Sequence, residues 1–281
     1  MAGMELKVVR YEVVDKVAII TLDRPERLNT WTGRMHTEYR WALALADRDS
    51  NVRVIVVTGA GRAFCAGADS RALSGHIERG GYDPGTPEDL AQPGYGVDAR
   101  FDTDFAYHFG LTKPTIAAIN GPAAGVGLVL ACYCDLRFAG AGAKLTTAHG
   151  RLGLPAEFGL SWLLPRMIGL TRANDLLLSS RVVLAEEAAE MGLVNEVVPG
   201  DRLRSRVIEY AEMLAGTVSP SSLRVTRQQI YRDLHDGAAA AINRAQRLLE
   251  EMMTGPDFSE GVAAFTEKRA PVFGDPDPDQ P

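Results

Sequence analysis

The sequence predicts an α/β protein, and three observations carry that prediction. Short β-rich runs alternate with helical patterns through the first half, two of those runs end in glycine-rich turns, and the last third reads as helices. Residues 6–11 and 17–22 read as paired strands around Asp15-Lys16. Residues 31–46 read as a helix capped by Thr30 or Thr32. Residues 52–58 and 115–119 read as buried strands, and 126–134 as an apolar helix that starts inside a glycine turn. Between Arg71 and Leu111 the pattern lapses into a polar stretch punctuated by Gly75, Gly80, Gly81, Pro84, Gly85 and Pro87. Such a segment is either a lid or substrate wall, or a surface loop. Residues from 185 onward read as almost wholly helical, with 202–215, 221–234 and 238–253 carrying apolar residues at three- and four-residue spacing. Ser219-Pro220 and Gly255-Pro256 mark the breaks. The tail, 274–281, alternates acid and proline and is expected to be loose. The expected division is a core over 1–200 and a helical region with that tail over 201–281.

Composition narrows the function classes. A chain of 281 residues can bury roughly 75% of its unfolded surface without a disulfide or metal staple. Net charge is −6 with no block of lysine or arginine, which argues against a nucleic-acid surface. Cys65, Cys132 and Cys134 are an odd set without the spacing of a disulfide framework or a zinc site, and the five histidines lack metal-ligand spacing. No metal is expected. The N-terminal residues lack the order of a secretory signal, and no apolar stretch reaches the ~18 residues that span a bilayer. The expected compartment is the cytoplasm.

The two turns are Gly61-Arg62-Ala63-Phe64-Cys65-Ala66-Gly67-Ala68-Asp69 and Asn120-Gly121-Pro122-Ala123-Ala124-Gly125-Val126-Gly127. Glycine admits unusual backbone conformations and close approach to a ligand, so two such turns at neighbouring strand ends can aim two N–H groups at one oxygen. With the run Ala18-Ile19-Ile20-Thr21-Leu22-Asp23-Arg24-Pro25-Glu26-Arg27-Leu28-Asn29, the segment around Ala188-Ala189-Glu190-Met191-Gly192 and Phe265-Thr266-Glu267-Lys268-Arg269, these turns make the chain resemble the crotonase (enoyl-CoA hydratase/isomerase) superfamily. The likeness covers nearly the whole chain. It implies a crotonase-like spiral of ββα repeats with C-terminal helices that pack in a homotrimer, often paired into a hexamer.

The resemblance also implies chemistry on acyl-CoA thioesters, with coenzyme A part of the substrate and no separate cofactor. The backbone N–H groups of Ala68 and Val126 match the oxyanion-hole positions. Losing one such donor typically costs ~3 kcal/mol of transition-state stabilisation. Family hydratases use two glutamates; Val129 stands at the first position and His149 at the second. The two-carboxylate pattern is absent. Glu157, in Gly153-Leu154-Pro155-Ala156-Glu157-Phe158, sits where double-bond-shifting relatives carry a carboxylate, and its apolar neighbours should raise its pKa. A loop glutamate capping helix 159–168 is the alternative. His149 can supply a proton, hold Glu157 or a water, or serve only as a hydrogen-bonded core histidine. His108 can reach the pocket from the wall segment. For the acyl-CoA itself, the resemblance implies contacts from Arg27, Ala66, Gly67, Asp69, Gly125 and Lys268. Asp69 is equally a helix cap, and Arg27 and Lys268 are equally solvated charges. The expected reaction is 3-enoyl to 2-enoyl isomerisation; the alternatives are hydration by His149 and Glu157, or non-catalytic acyl-CoA binding.

Overall fold

The computed structural model describes residues 5–71, 97 and 100–275. Most of the glycine-punctuated segment expected to form a wall lies outside the described residues. A six-stranded sheet organises the chain, in the order β1 (Val9–Val14), β2 (Val17–Leu22), β3 (Val54–Gly59), β4 (Thr115–Ile119), β6 (Leu136–Gly140) and β9 (Glu196–Val198). Only the β1–β2 pair is antiparallel; the other pairs run parallel. A second, three-stranded sheet pairs β5 (Ala123–Ala124) with β7 (Lys144–Thr146) and β7 with β8 (Val183–Leu184).

The hairpin falls where the sequence places it, because Asp15 and Lys16 take φ of 45° and 68° and leave a two-residue loop between Val14 and Val17. Its first strand starts later than expected. The N–H groups of Lys7, Val8 and Val9 donate to the buried Glu38 carboxylate, which holds that stretch against a helix. That helix is α1 (Gly33–Arg48), capped by Thr32, whose side chain accepts from Met35 N–H.

Parallel strands need both faces covered, and they read accordingly as unbroken apolar runs. One face packs on α1, α2 (Val126–Tyr133) and α3 (Leu160–Ser179) through residues such as Ile20, Ile55, Val57 and Ile119. The other face presents Ile19, Val54, Val56, Ile116 and Phe138 to Leu203, Val207, Ala211 and Ala215 of α5 (Leu203–Thr217). The first long helix of the C-terminal region therefore closes the main sheet. Between α3 and α5 lies the short α4 (Ala185–Glu190), followed by β9. The helical reading from 185 missed β9 because three residues acquire strand character only by pairing with β6. Helix α3 runs beyond its expected end, through a break at Gly169 with φ 78° and ψ 158°.

Helices α6 (Pro220–Asp233), α7 (Ala238–Met252) and α8 (Pro256–Glu267) follow. A buried ion pair ties α6 to the core: Arg227 Nε donates to Asp135 at 2.9 Å, and its other nitrogens donate to the carbonyls of His108, Phe109 and Leu111. Of the tail, Gly274 and Asp275 are bonded rather than loose. Arg53 donates to Phe273 and Gly274 carbonyls, and Lys16 pairs with Asp275 at 2.6 Å. Among the described residues no helix is long and apolar enough to cross a membrane, and no cluster of His, Cys, Asp or Glu could hold a metal ion.

Candidate active site

Both glycine turns leave neighbouring parallel strands, β3 and β4, at the same end, so the sheet itself brings them together. A bridge then aligns them: Cys65 N–H donates to Pro122 O at 3.1 Å, and Ala124 N–H donates to Cys65 O at 3.0 Å. Two side-chain amides, one of them fully buried, clamp the assembly. Asn29 Nδ2 donates to the carbonyls of Ala60 and Ala63, and Asn120 bonds Gly59 through both its oxygen and its nitrogen. Backbone approach here is close enough that a Cβ on Gly127 would lie 2.1 Å from Cys65 O, so only glycine fits.

The donors flanking Ala68 and Val126 are engaged. Ala66 N–H donates to Leu28 O, Asp69 N–H to Trp31 O, and Gly125 N–H to Thr146 O. Pairing with Trp31 uses Gly67 O and Asp69 N–H, which turns the N–H of Ala68 to the opposite edge of its segment. Val126 is the first residue of α2, where helix N–H groups lack an internal partner. Neither N–H makes a backbone hydrogen bond to any described residue. With those N–H groups bonded within the protein, any contact of Ala66 and Gly125 with an acyl-CoA is made by other atoms.

Glu157 lies against this point. Its Oε2 is 3.6 Å from where a Cβ on Gly125 would stand, and Gly125 immediately precedes Val126. The carboxylate is half-buried; burial raises its pKa, and His149 pulls the other way. Glu157 does not cap α3, whose N-cap is Gly159 without a side-chain bond. Instead it begins a 3-10 turn, Glu157–Gly159, in which Phe158 has φ 45° and Gly159 φ 76°. Tyr133, at the end of α2, fixes that turn by donating to Phe158 O at 2.7 Å. The Phe105 and Phe158 rings lie 4.9 Å apart on the same side of the turn. Val129, one helical turn into α2, is fully buried and apolar, so it carries no proton here.

His149 is 5% exposed and starts its own 3-10 turn, His149–Leu152, held by Ser180 Oγ accepting from Gly150 N–H at 3.0 Å. Its Nδ1 has no hydrogen-bond partner among the described residues. His108 does not reach the site. It is fully buried, Nε2 contacts Tyr39 Oη and Nδ1 contacts Phe105 O, both at 2.8 Å, and burial pushes its pKa down to about 3.

The remaining expected residues divide. Asp69 accepts from Arg24, Thr30 and Arg71 N–H, so its carboxylate clasps the segment before α1 and caps the residues that follow. Arg27 is exposed on the 3-10 turn Pro25–Arg27, which abuts the first glycine turn: a Cβ on Gly61 would meet Pro25 Cβ at 3.0 Å. Lys268 is exposed at the C-terminal end of α8. Sequence reasoning did not single out Asn29, Asn120 or Tyr133. The two asparagines stand next to the motifs, and a polar residue beside a glycine turn is the signal they offered.

Comparison with known proteins bears on what this arrangement serves. The family model described as "Enoyl-CoA hydratase/isomerase" matches residues 12–276. The "Probable enoyl-CoA hydratase EchA12" of Mycobacterium tuberculosis is 38% identical over 268 residues, covering 92% of this chain and 90% of that protein. The 1,2-epoxyphenylacetyl-CoA isomerase of Escherichia coli is 34% identical over 258 residues, covering 92% and 94%. A crystal structure of enoyl-CoA hydratase from Bacillus anthracis superposes with a TM-score of 0.82 at 30% identity, covering 95% of this chain and 99% of that one. With its paired turns and its near-complete match, the chain belongs to the enoyl-CoA hydratase/isomerase family.

Proposed function

We propose that this protein shifts the double bond of a 3-enoyl-CoA to the 2-position, with Glu157 as the single acid–base group. One observation carries the reading: a half-buried carboxylate with no ion pair to a described Lys or Arg stands beside the N-terminus of α2, while the other family acid position is the apolar Val129. The thioester oxygen sits between the Ala68 and Val126 N–H groups. Glu157 takes a proton from C2, the electron pair spreads into the thioester oxygen, the double bond moves to C2–C3, and the carboxylic acid returns the proton at C4. The donor pair lowers the enolate's energy, and the raised pKa of Glu157 suits a group that must both accept and release a proton. Coenzyme A enters and leaves with the acyl group; no other cofactor is required. Arg27 and Lys268 are assigned to its nucleotide portion as exposed, cationic positions.

A second reading, hydration of a 2-enoyl-CoA, has its own support in His149, whose buried Nδ1 is unpartnered among the described residues and whose charge bears on Glu157. Side-by-side assays of 3-enoyl-CoA isomerisation and crotonyl-CoA hydration separate the two. Isomerisation lost on Glu157→Gln supports the proposal; efficient hydration that survives that substitution overturns it. Absence of turnover on either, with thermal stabilisation by acyl-CoA, would mark a binding protein instead. Homotrimers or paired trimers fit the same reading, since Ile242, Leu249, Phe258 and Phe265 leave apolar surface on α7 and α8.

A further inference from the structure

A concentration of positive charge lies on the C-terminal helices, outside the candidate active site. Helices α6 and α7 pack against each other across the connection 234–237 and leave a cleft of about 270 Å³. Gln228, Gln229 and Arg232 line it from α6, and Arg244, Arg247 and Glu251 from α7. Arg244 is held by Asp233 and Asp236, neither of which lines the cleft. Arg232 and Arg247 form no ion pair or side-chain hydrogen bond with any described residue. Three guanidinium groups and the Glu251 carboxylate line the cleft; with Arg244 committed to its two aspartates, Arg232 and Arg247 are the cations without an ion pair to a described residue. Burial, and then the charges of Arg232, Arg247 and Arg100, push the Arg244 pKa down, although Asp233 and Asp236 pair with it.

We propose that this cleft is a binding site for a small phosphate anion of the pyrophosphate type, held by the Arg232 and Arg247 forks against Arg244. Planar guanidinium groups meet phosphate oxygens two at a time, and the glutamine amides supply further donors. The site goes beyond the isomerase proposal and does not rest on it.

Isothermal titration of the full chain with pyrophosphate tests it without any turnover. Binding should weaken as salt is added. It should fall at least tenfold in the Arg232→Gln/Arg247→Gln double variant, yet hold in Arg204→Gln. A double variant that binds within twofold of the parent, an absence of binding at millimolar pyrophosphate, or loss in Lys268→Ala instead would each overturn the assignment. Should the double variant melt early, the two single variants carry the same comparison. A parallel titration with ADP distinguishes sources: ADP binding with the same sensitivity assigns the phosphates to a nucleotide, and pyrophosphate binding alone assigns them to the free anion.

Discussion

Glu157, beside the N-terminal end of α2, and Asp135, just past its C-terminal end, are both carboxylates withdrawn from water, yet they meet opposite surroundings. Burial pushes the Asp135 pKa up, but the Arg227 charge and hydrogen bond, with Tyr231 and Thr115, bring it below its usual value. Burial also raises the pKa of Glu157, and there His149 is the opposing influence among the described residues. One carboxylate is held charged to fasten a helix. The other is left half-desolvated beside the start of α2. Desolvation is common to both, so the number of committed partners decides whether a buried acid is structural or available for chemistry.

Five substitutions and one titration can break or sharpen that contrast. Glu157→Gln should lower isomerisation kcat/KM by about 10²–10⁴-fold with the melting temperature nearly unchanged, as steady-state kinetics and a thermal melt would show. Arg227→Met should do the reverse. Leaving Asp135 charged and unpaired should remove about 3–5 kcal/mol of stability in urea titrations. Equal damage to folding from both changes would erase the distinction. Gly127→Ala, which sets a methyl 2.1 Å from Cys65 O, should cost about 1–3 kcal/mol and depress kcat by spreading the two turns. Arg27→Ala and Lys268→Ala, at exposed positions, should each raise KM for acyl-CoA by up to about fivefold and leave kcat alone.

The titration exploits opposite signs. Asp135, lowered from 3.8 in the fold, contributes stability present above that value and lost as pH falls through its folded pKa. Glu157, raised from 4.5, contributes stability while protonated that is lost as pH rises through its folded pKa. Urea midpoints across pH should therefore show Asp135→Asn flattening the acid limb and Glu157→Gln flattening the loss above 4.5. In kinetics, kcat/KM should climb with pH through a value above 4.5, the limb on which Glu157 becomes a base.

Much of the fold was legible because its signals are local. Apolar runs of strand length, the Thr32 cap, the Asp15-Lys16 turn and the breaks at Pro220 and Pro256 all act through nearest neighbours, and the elements they mark formed, with the first strand displaced to 9–14. Strand β9 and the extension of α3 past Gly169 were not legible, since both depend on what lies across the core. Within the site, the glycine turns announced themselves through composition. Their clamps did not: Asn29 and Asn120 look like ordinary turn residues until their amides are seen reaching a turn more than thirty residues away.

By itself the sequence determined the family, the element order and a cast of candidate groups, because glycine, proline and apolar spacing restrict the backbone locally. Only the tertiary structure decided which members of that cast are committed. It engaged the N–H groups of Ala66 and Gly125, folded the Asp69 carboxylate into a clasp and sealed His108 in the core, while leaving Glu157 against the start of α2. A side chain's partners are set by segments distant in the chain, and partners, more than residue type, govern whether a buried polar group can act.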